Sequence, residues 1–407
     1  MYLSKSKTIK ILSCAIIISV FFSFLFLISD ISHAAKTDKI KVFFNDPPDS
    51  KNIDVELANF IDSAKVSVNA HFYQVNRTCI IEAFIRAAQR LKPQNVKLIT
   101  EGKYYNNNKK QRKTKGETFF DSYQRLENAG IVIVTDEMFG NGGSGECHNK
   151  FCVVDGEKVW TGSYNATDNN TIKDYNNGVI LESKEAAKIY NEEFSIMYDN
   201  HLFGKKKTNL TSSHSFYIDS VEVEAYFAPT DGVIDRMVSY IDNAKKSVSF
   251  VIFAFTEDNF ENALYAKYKN GVTVRGMCDD LGAGGKSSGY SALLSRNMDV
   301  KKDSNPQSML HDKFLVVDPE SDNALVITGS FNYTKAADTK NDENVIVIHD
   351  KYYAQLYYNE FAKLFGVPMI KIVDKPASVS ETREVTVKKN EPVKPPSTSE
   401  VIINKTK

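Results

Sequence analysis

Neither sign of charge prevails in this chain of 407 residues: 51 Lys and Arg stand against 51 Asp and Glu. The global field therefore exerts no strong pull on nucleic acid or anionic lipid, and any preference for polyanions must be local. Proline is scarce, at 11 residues, and 42% of the chain is hydrophobic, which excludes collagen and wholesale disorder. Cysteine is scarce too, at five. Long hydrophobic runs are absent except for residues 11–28.

That run follows Lys5, Lys7 and Lys10 and precedes the small, polar stretch Ser32-His33-Ala34-Ala35. This is the layout of an export signal over residues 1–34, with Ser32 and Ala34 before the cleavage point, and it implies a secreted or periplasmic protein. The alternative is an uncleaved membrane anchor at residues 11–28. Cys14 is no lipid attachment site, because the apolar run follows it. Removing Lys5, Lys7, Lys10 and Asp30 leaves 48 basic and 50 acidic residues, still near neutrality. Cys79, Cys147, Cys152 and Cys278 remain, and an exported chain could oxidise them. Cys147 and Cys152 read as one extended strand, which holds them roughly 16 Å apart, too far to pair. Residues 374–407 hold four of the eleven prolines without apolar periodicity and read as a disordered tail.

The chain is an internal repeat. Residues 53–70 match 233–250 at an offset of 180, and each copy reads as an amphipathic helix followed by a β-branched strand. A further helix and strand follow in each half. Then CHNKFCVVDGEKVWTGSYNAT lies over LHDKFLVVDPESDNALVITGSFNYT: His148, Lys150 and Asp155 fall on His311, Lys313 and Asp318, while Gly162, Ser163 and Asn165 fall on Gly329, Ser330 and Asn332. The expected fold is α/β, with two pseudo-symmetric lobes, each a mixed sheet flanked by helices, and a shared cleft. Lobes are expected over 35–202 and 220–373, joined by a polar linker over 203–219.

On a strand, residues i and i+2 share a face, so each His stands beside its Lys. Asp155 and Asp318 point elsewhere and read as structural turn residues. An imidazole beside an ammonium is a poor metal site and a good anion site. Lys neutralises a phosphate oxygen while the imidazole attacks phosphorus or moves a proton. Two such pairs supply a nucleophile and a general acid and base for one phosphodiester, with Ser163, Asn165, Ser330 and Asn332 binding the substrate oxygens. Neither metal nor cofactor is called for. One chance match to this spacing is expected about 0.1 times in such a composition. Two at equivalent positions are not coincidence.

HNKFCVVD, GSYN, HDKFLVVD and GSFN resemble the motifs of the phospholipase D superfamily, over roughly residues 40–370. The resemblance implies a bilobal fold, a phosphohistidine intermediate and metal-independent phosphodiester hydrolysis or transfer. It also places Glu343 against the histidine of its own motif, to fix the tautomer. Gapless alignment from Gly-Ser puts Glu343 on Asn176, so the first histidine is expected to lack an equivalent anion unless Asp168 or Asp174 substitutes. His148 is read as the nucleophile and His311 as the general acid and base.

The remaining histidines, His33, His71, His201, His214 and His349, read as structural, with His71 nearest the expected cleft. Gly284-Gly285-Lys286-Ser287 lacks the earlier glycine of a phosphate loop, and Ser144 lacks a nucleophile elbow. Residues 103–115 carry six basic residues and two tyrosines and read as a clamp for anionic substrate. The favoured reading is an exported phospholipase D that contacts a membrane surface transiently. The alternatives are an endonuclease, which GSFNYTKAADTKNDENVIVI resembles, a cardiolipin-synthase-like transferase, and a catalytically inactive binding scaffold. One chain supplies both halves of the site, which suits a monomer with no obligate protein partner.

Overall fold

The computed structural model describes residues 38–47, 52–115, 121–139, 145–285, 288–303, 305 and 307–376. The expected export signal and nearly all of the expected tail lie outside them, as do Ser144, Lys286 and Ser287.

The first lobe runs β1 (Ile40–Asn45), α1 (Ile53–Asp62), β2 (Val68–Phe72), α2 (Thr78–Leu91), β3 (Val96–Thr100), α3 (Gly102–Lys115), α4 (Ser122–Asn128), β4 (Val132–Thr135), β5 (Lys150–Val154), β6 (Lys158–Gly162), α5 (Asp168–Ile172), β7 (Asn176–Glu182) and α6 (Lys184–Tyr198). The second runs β8 (Ser215–Ile218), β9 (Val221–Ala228), α7 (Val233–Asn243), β10 (Ser247–Ile252), α8 (Asp258–Lys269), β11 (Thr273–Cys278), α9 (Asp280–Ala283), α10 (Gly289–Ser295), β12 (Asp299–Lys302), β13 (Lys313–Val317), β14 (Leu325–Gly329), α11 (Lys335–Thr339), β15 (Glu343–His349) and α12 (Lys351–Phe365).

Strand order shows the duplication. The first sheet reads β1-β7-β6-β5-β2-β3-β4; the second, read from β9, is its counterpart, β9-β15-β14-β13-β10-β11-β12, with β8 added at the edge. In each lobe the βαβ crossovers form the parallel half and the strand–turn–strand segment carrying the motif forms the antiparallel half. Strand β8 lies within the segment read as a linker: Phe216 and Ile218 are buried against β9, so the second sheet begins before residue 220.

The motif strands are buried on both faces. In β5, Phe151 and Val153 face a central core, while Cys152 and Val154 face the outer layer of α1 and α2. The central core is common to both lobes. Inner faces of the two sheets close over α6 and α12, with Tyr190, Phe194, Phe227, Phe314, Tyr357 and Phe361 among its members. Fully buried Lys207, from the connecting segment, ties the lobes further: it pairs with Glu193 of α6 and with Asp342 at 3.2 Å, and donates to the Ala228 carbonyl at 2.7 Å. Among the described residues no helix is long and apolar enough to cross a membrane.

Candidate active site

The motif histidines do not lie on the strands themselves. β5 begins at Lys150 and β13 at Lys313, so each imidazole sits just before its strand, where backbone bonds cross between the lobes. His148 N donates to Asp342 O at 3.0 Å and Asp342 N to Glu146 O at 2.8 Å; on the other side Tyr175 N donates to Met309 O at 2.9 Å. These bonds draw the two motifs to one seam. There an open cleft of ≈ 370 Å³ is lined by both His148 and His311, with Asn165, Asn332, Tyr73, Phe253 and others around them.

Behind each imidazole stands a residue of the opposite lobe. His148 Nδ1 lies 2.8 Å from Glu343 Oε2, and His311 Nδ1 lies 2.8 Å from Asn176 Oδ1. The expectation that Glu343 serves its own motif histidine is therefore corrected: the carboxylate crosses the seam to His148. The histidine without an anion is His311. Asn176 donates its amide NH₂ to Asn170 O and Asp174 O, both at 3.2 Å, which aims its oxygen at the ring. Both imidazoles then carry Nδ1–H and present a bare Nε2 to the cleft. Asp174 and Asp168 do not substitute for Glu343: Asp174 accepts from Asn170 and Met309 N, and Asp168 pairs with Arg77.

Ser163 and Ser330 are placed differently from expectation as well. Each is fully buried behind the cleft, and its hydroxyl serves the residue that holds a histidine: Ser330 Oγ donates to Glu343 Oε2 at 2.6 Å, Ser163 Oγ to Asn176 Oδ1 at 3.2 Å. Both hydroxyls are thus directed at the residues behind the histidines, and neither serine lines the cleft. The preceding glycines explain how the chain gets so close. At Gly162 (φ 144) a Cβ would meet Asn177 O at 2.4 Å, and at Gly329 (φ 158) it would meet Asn344 O at 2.1 Å. Asn165 and Asn332, in contrast, line the cleft.

Lys150 and Lys313 are buried beneath the cleft, where each ammonium donates to its histidine's carbonyl, at 2.6 and 2.9 Å. Burial lowers Lys150 to about 8 and Lys313 well below the ordinary lysine range. Burial also lowers both histidines. His311 falls well below 6.5, pressed further by Lys313 and Lys150; His148 falls less, because Glu343 opposes the shift. Burial would raise Glu343, yet His148 and Lys150 hold it below its ordinary value.

Asp155 and Asp318 point away from the cleft. Asp155 accepts from the backbone of Lys65, Val66 and Ser67, Asp318 from that of Lys245, Lys246 and Ser247, each sealing the turn into β2 or β10. Among the described residues no group of three or more His, Cys, Asp or Glu is arranged to hold a metal ion. All four described cysteines are free. His71 is buried against Cys147, with its Nε2 3.1 Å from Sγ, and does not line the cleft.

Residues 57–198 and 237–365 match the family model described as "Cardiolipin synthase, PLD-like domain", one segment in each lobe. The chain belongs to the phospholipase D superfamily. Its chemistry is therefore that of a phosphodiesterase acting on phosphodiester substrates. A phospholipase D of Rickettsia conorii is 31% identical over 163 residues, covering 37% of this chain and 79% of that one. The human mitochondrial cardiolipin hydrolase is 30% identical over 137 residues, 33% of this chain and 52% of that one. Across both lobes the fold is shared with a phosphatidylserine synthase of Haemophilus influenzae, at a TM-score of 0.58 and 13% identity, covering 84% of this chain and 88% of that one.

Two features escaped sequence reasoning: the crossing of Glu343 and the serines' inward turn. A signal for the first existed in the pairing of Glu343 with Asn176 by alignment, but not for which histidine each would serve.

Proposed function

We propose that the protein is an exported phospholipase D that hydrolyses a phospholipid to phosphatidate and a free alcohol. His148 Nε2 attacks phosphorus, the bond to the leaving alkoxide breaks, and His311, protonated, gives that oxygen its proton. Water then loses a proton to His311 Nε2 and attacks phosphorus. The P–N bond breaks, and phosphatidate leaves with both imidazoles restored. Lys150, Lys313, Asn165 and Asn332 stabilise charge on the non-bridging oxygens.

The observation that carries the division of labour is the unequal pair behind the rings. A phosphorylated imidazole that keeps its Nδ1–H is cationic, and Glu343 is positioned to balance that charge on His148. A general acid must release its proton readily, and His311 faces only a neutral amide. The lipid reading is supported by the apolar wall that Phe253 and Met309 give the cleft, and by the similarity to the Rickettsia phospholipase D. The endonuclease reading draws on α3, whose exposed Lys103, Lys110 and Lys113 lie on the helix that brings Tyr104 to the cleft.

The test is release of head-group alcohol from vesicles in EDTA, beside cleavage of single-stranded DNA under the same conditions. Head-group release without DNA cleavage is expected; the reverse pattern overturns the lipid reading. In H311N an acid-labile, base-stable phosphate should accumulate on the protein, and in H148N it should be absent. The opposite pattern exchanges the roles.

A further inference from the structure

The duplicated cleft has unlike walls. Tyr73 of the first lobe corresponds to Phe253 of the second at the repeat offset of 180, and Glu146 corresponds to Met309 at 163. On the first-lobe side Tyr73 stands edge-on to His148 with ring centroids 4.7 Å apart, and edge-on to Tyr104 at 5.1 Å. Its hydroxyl donates to Glu146 Oε1 at 3.2 Å. Glu146 is exposed, and no Lys or Arg pairs with it among the described residues. Among the described residues that line this cleft it is the one carboxylic acid, and no Lys or Arg lines it. The adjoining groove, of ≈ 540 Å³, shares Glu146 and Phe253 and also holds Lys340.

A solvent-open carboxylate at the lip of an anion site opposes a polyanion: the phosphate next to the reacting one in a nucleic acid, or the second phosphate of cardiolipin, would meet it at short range. The same carboxylate attracts a cation, and the phenol faces beside it add a quadrupole attraction for an ammonium group. An ammonium two carbons from the ester oxygen is near enough to the phosphate to reach this wall.

Building on the phospholipase reading above, we infer that Glu146, Tyr73 and Tyr104 form a subsite for an ammonium-bearing head group, selecting phosphoethanolamine and phosphocholine esters over anionic phosphodiesters. Glu146 is then the specificity-determining residue of the cleft.

The test uses the full chain with monomeric dihexanoyl phosphatidylethanolamine, phosphatidylcholine and phosphatidylglycerol, with bis-p-nitrophenyl phosphate as a diester lacking any ammonium. The unaltered protein should favour the ethanolamine and choline esters over the glycerol ester in kcat/KM by about tenfold. In E146Q that ratio should fall to about one, and in E146K it should invert. A ratio near one in the unaltered protein, or one that E146Q leaves intact, overturns the subsite. If bis-p-nitrophenyl phosphate is cleaved and none of the three lipids is, the phospholipid reading fails by itself. Competition against bis-p-nitrophenyl phosphate then decides the subsite: tighter inhibition by phosphoethanolamine than by glycerol phosphate, lost in E146Q, upholds it, and equal inhibition overturns it.

Discussion

Two atoms decide what each imidazole of the cleft can do: a carboxylate oxygen behind His148 and an amide oxygen behind His311. Replacing the first by an amide, in E343Q, should lower kcat/KM by about 10²-fold or more, since the cationic intermediate loses its counter-charge. The pH profile supplies a sharper check. On the proposed roles His148 must be unprotonated to attack and His311 protonated to donate; because His311 is depressed further than His148, kcat/KM should rise with pH through His311 and fall through His148. Both are depressed below 6.5, so the maximum should lie below pH 6.5. Removing Glu343 removes an influence that raises His148 and should move the falling limb to lower pH. N176D adds a carboxylate behind His311 and should move the rising limb to higher pH; unmoved limbs in both variants would mean that these histidines do not control the rate. At this scale the sequence was legible for residue type and spacing, because His-x-Lys twice over constrains chemistry locally. The partner of each ring was not, since Glu343 lies 195 residues from His148 and adjacency across a pseudo-two-fold leaves no mark on local spacing.

Among the elements, the entries to β2 and β10 are held by a single carboxylate each. Asp318 is buried and sits at φ 47, a conformation that Asp and Asn tolerate better than most residues. D318N keeps the shape and exchanges a charged acceptor of three backbone N–H groups for a neutral one. A loss of about 1–3 kcal/mol in unfolding free energy is expected from urea melts. D155N should cost less, because the Lys65 and Val66 groups it serves are exposed to water. The strand and helix order was legible from apolar periodicity, and the repeat told which elements correspond. What periodicity missed was the start of the motif strands, two residues after each histidine, and edge strand β8 inside a stretch whose Ser and Thr content imitates a linker.

For the molecule as a whole, the shared core makes the two halves one cooperative unit. Neither sheet's inner face is covered without α6, α12 and the opposite sheet, so urea unfolding of residues 35–376 should show a single transition by fluorescence and by circular dichroism alike. Lys207 gives a second handle. Burial raises Glu193 to about 7, and the lysine is its counter-charge together with that of Asp342. K207M should therefore destabilise the protein by about 3 kcal/mol at pH 8. Without Lys207 the Glu193 carboxyl rises above its value of about 7, so taking up a proton offsets the lost counter-charge: the deficit should shrink as pH falls toward about 7 and change little below it. A deficit independent of pH would assign the loss to packing alone. Composition, with 51 basic and 51 acidic residues, carried no mark of the local arrangement of charge, and Glu146 at the cleft became visible only once the two lobes were placed together.

The exchange of partners across the seam has a further result. Two identical subunits meeting on a symmetry axis would be bound to equip both rings alike, whatever stood at the orienting position. Joining the halves in one polypeptide frees those positions to differ, and here one became Glu and the other Asn. Fusion is thus what allows an assembly built from twin parts to have a front and a back, with its two rings in unlike surroundings.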